Sequence, residues 1–174
     1  ALALNPNYAI TYLWYGNLLI GEANYVRALE MYSKALELDP LSPVVRTNIA
    51  HMEASAGNLD HALELVRREI ELFPESVYGH FMHGGITISQ GRFYDGTRSL
   101  YRALELRPEG HPELFLVLGW TYLSFSDITT ATHWLDRAET QPNRMPAYFV
   151  LRSELLLLSG DEKRAAELAD RKST

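Results

Sequence analysis

The 174-residue sequence contains no cysteine, so disulfide bonds and thiol catalysis are excluded. It also has no long apolar run. The richest, Leu155 to Leu158, falls far short of the roughly 18 to 20 residues that a membrane span needs. The net charge is −6 and no basic stripe is present, whereas proteins that bind nucleic acid through its phosphates are usually basic. We therefore expect no nucleic-acid binding and no membrane contact by this segment. For the compartment we expect the cytoplasm, with a periplasmic segment of a larger protein as the alternative.

Motifs of catalysis and of cofactor binding are missing as well. There is no Gly-x-Ser-x-Gly elbow and no glycine-rich phosphate loop before a helix. His80 and His83 lie three residues apart, but no carboxylate or third histidine stands at a neighbouring helical spacing. The sequence thus predicts no enzyme, no cofactor and no metal site. We predict instead that Glu53 pairs with His83 or His80, because a buried carboxylate must be paired.

Evenly spaced helix-breaking residues are what the sequence does contain. Five of the eight prolines are each 34 residues from the next, and Gly57 and Gly91 repeat the same spacing. Between them, apolar residues recur every three to four positions, which is the period of a helix. Paired helices of this length can bury their apolar faces only by stacking on their neighbours. The five prolines are Pro6, Pro40, Pro74, Pro108 and Pro142.

The spacing predicts ten helices, with a small residue at Gly16, Ala50 or Gly84 where two of them approach closely. Gly119 follows Gly84 by 35 residues rather than 34, so the fourth hairpin is expected to carry a shifted register. Ser42 and Ser76 are predicted to cap the third and fifth helices. The predicted helices cover residues 9–21, 24–37, 43–56, 60–72, 77–90, 94–106, 112–124, 128–140, 146–158 and 161–172.

Period and pattern together resemble the tetratricopeptide repeat family. The first hairpin carries a near-complete repeat in Trp14-Tyr15-Gly16, Tyr25, Ala28, Tyr32, Ala35-Leu36, Leu38 and Pro40. The resemblance implies an all-α, right-handed superhelical solenoid of antiparallel helix hairpins. The second hairpin departs from the family pattern, since Arg46 and Glu53 replace usual aromatics and Glu69 replaces a usual alanine. We expect one array over 1–174, with 1–6 as the remnant of a preceding repeat and repeats at 7–40, 41–74, 75–108, 109–142 and 143–174.

The family's inward-facing positions, carried over residue by residue, imply a concave peptide-binding groove. This surface is largely apolar and aromatic, and aromatic side chains are common anchors of peptide binding. Some of these residues could instead pack between neighbouring hairpins. The implied groove residues are Leu13, Asn17, Ile20, Thr47, Asn48, His51, Tyr78, Phe81, Leu116 and Trp120.

One subfamily of these repeats binds the C-terminal carboxylates of chaperones with two asparagines and three basic residues. Asn17 and Asn48 match the asparagines, but the basic positions hold Leu13, Tyr78 and Met82. A carboxylate needs cationic or charge-assisted donors to leave water. We therefore expect no carboxylate clamp, while the two amides can bind a peptide main chain or simply face water.

The leading interpretation is a non-catalytic scaffold that binds a protein or peptide partner. The alternative is a sensory or dimerisation segment of a larger bacterial signalling or transcription-regulatory protein. It rests on Leu38-Asp39-Pro40-Leu41-Ser42-Pro43 with Trp14-Tyr15-Gly16 before it, which together resemble repeat regions of bacterial winged-helix regulators and nucleotide cyclases. A third expectation is self-association through uncapped apolar ends.

Overall fold

Ten α-helices account for nearly all of the chain that the computed structural model describes, residues 7–140 and 146–170, and these ranges contain no strand. The predicted all-α class is confirmed, and every predicted boundary that falls on a described residue agrees within one residue. The predicted end of the tenth helix, at residue 172, lies outside the described residues. Residues 1–6 and Pro142 lie outside the described residues. The helices are α1 (Ala9–Gly21), α2 (Tyr25–Leu38), α3 (Pro43–Ser55), α4 (Leu59–Leu72), α5 (Val77–Ser89), α6 (Phe93–Leu106), α7 (Pro112–Ser124), α8 (Ile128–Glu139), α9 (Pro146–Leu158) and α10 (Glu162–Asp170).

The chain forms two compact units, Ala1–Arg92 and Phe93–Thr174. Within the first unit each of the helices α1 to α5 packs on the next, and within the second unit α6 to α10 do the same. The boundary between the units falls inside the segment 75–108 that the sequence assigns to one repeat, so the repeat boundaries stay a prediction. No helix in the described ranges combines the length and the apolarity that crossing a bilayer requires.

A left-handed residue ends the first helix of each pair. Gly57, Gly91 and Gly160 have φ between +78° and +87°, and Ala23 and Ser126 adopt φ of 56° and 58°. The next N–H then binds a carbonyl five residues back, as Asn58 N does to Glu53 O at 2.8 Å, and this satisfies the open helix end. Ser126 follows Gly91 by 35 residues, whereas Gly91 follows Gly57 by 34. The extra residue lies in the loop between α6 and α7: this loop, 107–111, has five residues, whereas loops 39–42 and 73–76 have four.

Both predicted N-cap serines occupy their positions, but only one makes the expected hydrogen bond. Ser76 Oγ accepts from Gly79 N at 3.1 Å, whereas the Ser42 side chain makes no cap bond. At Ser42 the helix begins with Pro43, whose missing N–H needs no partner. Proline at the first position therefore lowers the number of donors that this cap must satisfy.

A buried ion pair joins α3 to α4 in the first unit, and a serine at the start of α5 adds to it. The pair consists of two residues that each depart from the repeat pattern. Arg46 on α3 and Glu69 on α4 have side chains only 7% and 1% exposed, and their Nη1 and Oε2 atoms lie 3.3 Å apart. Arg46 Nη2 also donates to the Pro40 carbonyl, and Ser76 Oγ donates to Glu69 Oε1 at 3.1 Å. Each charge is therefore compensated by the other and by a further polar partner, as a buried charge requires.

Breaking this pair from one side leaves a buried charge without its partner. We expect Arg46→Met or Glu69→Leu alone to lower the free energy of unfolding by about 3–5 kcal/mol, and the double substitution to recover most of that loss. Urea denaturation of the four proteins gives the coupling energy. Arg68→Met is the control: its ion pair with Glu71 is about 60% exposed on both sides, so a change of at most about 1 kcal/mol is expected. Additive losses in the double variant would contradict the assignment.

Candidate functional site

Three helices of the first unit surround a small surface pocket, here named the asparagine pocket. Its volume is about 300 Å³, and α1, α2 and α3 each contribute to it. Four of the residues predicted for the groove line it, while two lining residues were not predicted as groove residues. The lining residues are Asn17, Ile20, Tyr32, Asn48, His51 and Met52.

Hydrogen bonds connect the two asparagines across neighbouring hairpins. Tyr32 Oη donates to Asn17 Oδ1 at 2.7 Å, and Asn48 Nδ2 donates to the same oxygen at 3.4 Å. Burial raises the pKa of the Tyr32 phenol, and a hydrogen bond from Asn48 acts in the opposite direction. The phenol is thus neutral at physiological pH and can donate a hydrogen bond to Asn17.

A glycine lets the Tyr32 ring reach this position. A Cβ atom at Gly16 would lie 2.5 Å from Tyr32 Cε1, closer than side chains normally approach. The ring passes over the α1 backbone at Gly16, and its hydroxyl meets Asn17 one residue further on. Gly16, which the sequence predicts for close helix packing, therefore also lets the Tyr32 hydroxyl reach the pocket.

The other predicted groove residues of this unit differ in exposure. Leu13 is half-buried and packs on the core, and Tyr78 is 41% exposed, with its ring 5.8 Å from that of Phe81. Phe81 and Thr47 are buried, and the Thr47 hydroxyl donates within its own helix to the Pro43 and Val44 carbonyls. Phe81 and Thr47 thus serve packing, whereas the Tyr78 side chain remains partly exposed to solvent.

The two groove residues predicted in the second unit also differ in exposure. Leu116 is buried in α7, while Trp120, one helical turn later, is 41% exposed. A half-exposed tryptophan offers a large apolar area at low entropic cost, which suits a binding anchor. Trp120 is therefore the predicted residue of this unit that a ligand can reach.

No charged side chain lines the asparagine pocket, and His51 is its one titratable group besides Tyr32. At the positions where the carboxylate-binding subfamily has bases, Leu13 is half-buried, Tyr78 is exposed and Met82 is buried. An anion placed here would lose its hydration without gaining a cationic partner. The pocket chemistry suits neutral ligands.

Histidines and carboxylates make ordinary local contacts. His80 Nε2 lies 2.9 Å from the Pro74 carbonyl, while Glu53 accepts from Asn58 Nδ2 at 2.7 Å and lies 3.4 Å from His61 Nδ1. Glu53 is therefore paired with residues of its own hairpin, and its predicted contact with His83 or His80 stays a prediction. Residues 7–140 and 146–170 contain no group of three or more histidine or acidic side chains that could hold a metal ion.

Sequence reasoning missed Tyr32 and Met52 as parts of the pocket. The sequence places Tyr32 only in the repeat pattern, although a buried tyrosine, unlike phenylalanine, needs a hydrogen-bond partner for its hydroxyl. This need is the feature of the sequence that points to a polar contact at Tyr32. Met52 carries no comparable signal, because its helical spacing fits the core equally well.

Comparison with known proteins supports a repeat protein. No family model matches the chain. A small glutamine-rich tetratricopeptide repeat-containing protein of Mycosarcoma maydis is 28% identical over 93 residues, which make up 53% of this chain but only 26% of that protein. The chain thus spans well under two thirds of that relative.

Solved structures cover nearly the whole chain. A thermophilic tetratricopeptide repeat protein of Thermus thermophilus gives a TM-score of 0.83 at 19% identity, over 94% of this chain and 89% of that one. YrrB, a repeat protein with an unusual peptide-binding site, gives a TM-score of 0.63 at 20% identity, over 99% and 88%. At such identities these likenesses show the fold alone.

The contact between Gly16 and Tyr32 leads to a test of the pocket's construction. Gly16→Ala should displace the ring and destabilise the chain by about 1–3 kcal/mol, as overpacking does. Gly85→Ala is the matched control, because its Cβ would meet nothing within 4 Å and alanine favours a helix by up to about 1 kcal/mol. Thermal unfolding followed by circular dichroism measures both. Equal stabilisation by the two substitutions would show that the ring does not occupy this space.

Proposed function

We propose that this chain, whose relatives and structural neighbours support the tetratricopeptide repeat family, is a non-catalytic scaffold that binds a protein or peptide segment at the surface around the asparagine pocket. The observation that carries the proposal is the pocket itself. It brings Asn17, Ile20, Asn48 and His51 together at a surface that has room for a ligand and no charged lining.

The free energy of such binding comes from apolar area. Ile20 and Met52 are half-buried in the pocket, and Tyr78 on α5 has a ring that is 41% exposed. Removing apolar surface from water contributes roughly 25 cal/mol per Å², and a few aromatic anchors usually supply most of the affinity. Polar side chains then fix the register of the bound segment rather than its affinity.

Exposed aromatics allow a direct test. A displayed library of uncharged heptapeptides, selected on the immobilised chain, supplies a probe whose Kd is then measured by fluorescence anisotropy. Tyr78→Ala should weaken binding about tenfold, since an anchor contributes roughly 1–2 kcal/mol or more. Tyr94→Ala is the control, because Tyr94 is the most exposed aromatic and lies outside the predicted groove. If Tyr78→Ala leaves the Kd unchanged, or if Tyr94→Ala weakens binding as much, the surface is wrongly assigned. Phe81→Ala is unsuitable here, because Phe81 is buried and its loss would perturb the fold.

The uncharged lining makes a second prediction about the ligand. A selected peptide with a free C-terminal carboxylate and the same peptide with a terminal amide should bind with Kd values within about threefold of each other, since no cation awaits the carboxylate. Raising the salt concentration from about 0.05 M to about 0.5 M should leave both values unchanged, because screening acts on charge pairs. A free acid that binds more than about tenfold tighter, with strong salt dependence, would instead indicate a carboxylate clamp.

Self-association is a second candidate, favoured by the open face of α1. Trp14 is 68% exposed and Leu18 is also exposed, whereas the residues 68 positions later, Met82 and Ile86, are buried. Light scattering over a concentration series, with Trp14→Glu as the variant, tests whether this face joins two copies. The regulatory alternative rests on the two sequence motifs at 14–16 and 38–43, and the relatives named above lend it no support. A DNA-binding or cyclase domain in the full-length gene would favour it.

A further inference from the structure

The hydroxyl of Tyr32 is a polar atom at a position that is apolar in the next three hairpins. Counting by the 34-residue spacing, with the one-residue shift before the fourth hairpin, Val66, Leu100 and Leu135 hold the corresponding positions, and all three are fully buried. Tyr32 is also buried, yet its hydroxyl leaves the core and bonds to Asn17. Packing alone does not require a hydroxyl at this position, and the hydroxyl occurs in the hairpin that carries Asn17.

The hydrogen bonds at Asn17 determine which way its amide faces. Both bonds that the described part of the chain makes to this side chain use Oδ1, one from Tyr32 and one from Asn48. An amide is planar and carries two donor hydrogens on nitrogen, so Asn17 Nδ2 is left for a ligand. Asn48 uses its nitrogen in the same network, which leaves Asn48 Oδ1 as an acceptor.

We propose that Tyr32 is a positioning residue that holds the Asn17–Asn48 pair with one donor and one acceptor toward the asparagine pocket, so that the pocket takes the main chain of an extended, uncharged peptide segment. A peptide unit presents one C=O and one N–H, which complement Asn17 Nδ2 and Asn48 Oδ1. The inference rests on the proposed function, and it adds the chemical group that is recognised and the core residue that prepares the site for it.

Preorganisation is the physical gain. An exposed asparagine without a fixed partner turns freely about its side-chain bonds and presents oxygen or nitrogen alternately, so a ligand must order it on binding. Here the hydroxyl belongs to the Tyr32 side chain, which is buried in the core against Gly16. It therefore stays in place and holds the amide in one orientation. Removing that hydroxyl should free the amide while leaving the ring packing in place.

The first experiment needs no ligand. In Tyr32→Phe, the side-chain ¹⁵N order parameter of Asn17, measured by NMR relaxation, should fall from a restricted value to that of a mobile side chain, roughly below 0.6. Tyr122→Phe is the matched control: it removes a tyrosine–tyrosine hydrogen bond of 3.0 Å in the second unit and should leave Asn17 unchanged. Thermal unfolding confirms that both variants fold. An Asn17 amide equally ordered in Tyr32→Phe and in the parent chain would overturn the positioning role.

The second experiment uses the selected uncharged heptapeptide and a series of analogues in which one amide at a time is replaced by an ester, which lacks the N–H. One ester should weaken binding to the parent chain about 3- to 10-fold, the range expected for one hydrogen bond. Tyr32→Phe should weaken the all-amide peptide by a similar factor, and Asn17→Ala should add no further loss to it, because both act on one contact.

The outcomes separate the two proposals. If the parent chain binds no uncharged peptide, the proposed function fails, and the recognition of a main chain fails with it. If peptides bind with unchanged affinity to Tyr32→Phe and no ester matters, the proposed function stands and this inference is wrong. We do not expect misfolding to cause any loss in Tyr32→Phe, since phenylalanine keeps the buried ring and removes only the hydroxyl, and an unchanged far-UV circular dichroism spectrum checks this.

Discussion

Close approach between the two helices of a hairpin is the constraint on which the other features of this chain depend. At Gly16 and at Gly119, the space that a Cβ atom would need is filled by a side chain of the following helix, Tyr32 or Leu135. Helices at this distance bury one face against each other, and the remaining apolar faces must pack on the neighbouring hairpin. In the first unit, the asparagine pocket lies where α1, α2 and α3 meet.

The same constraint separates packing from recognition at neighbouring positions. Phe81 and Leu116 are drawn into the packed interior, while Tyr78 and Trp120 stay at the surface of the same helices. Apolar side chains that remain at a surface retain free energy that a partner can use.

Regular features of the fold were predictable from sequence, and interactions between repeats were not. Helix bounds follow from Pro43, Pro112 and the left-handed turn residues, because local sterics decide where a helix begins and ends. Arg46 and Glu69, 23 positions apart, each looked like an isolated departure, and only the packing of α3 on α4 makes them partners. Helical period likewise predicts which face a residue occupies but not how deeply, so Thr47 and Phe81 were assigned to the groove although they are buried.

The network from the Pro40 carbonyl through Arg46, Glu69 and Ser76 to the first turn of α5 has a consequence for how the first unit comes apart. Repeat proteins often fray from a terminus, one hairpin after another, because each contact is local. Here α5 cannot detach from α4 without stripping a polar partner from a carboxylate that water does not reach. Amide protons on both sides of this junction should therefore exchange with solvent through a single shared opening, which makes the second hairpin and α5 one cooperative block.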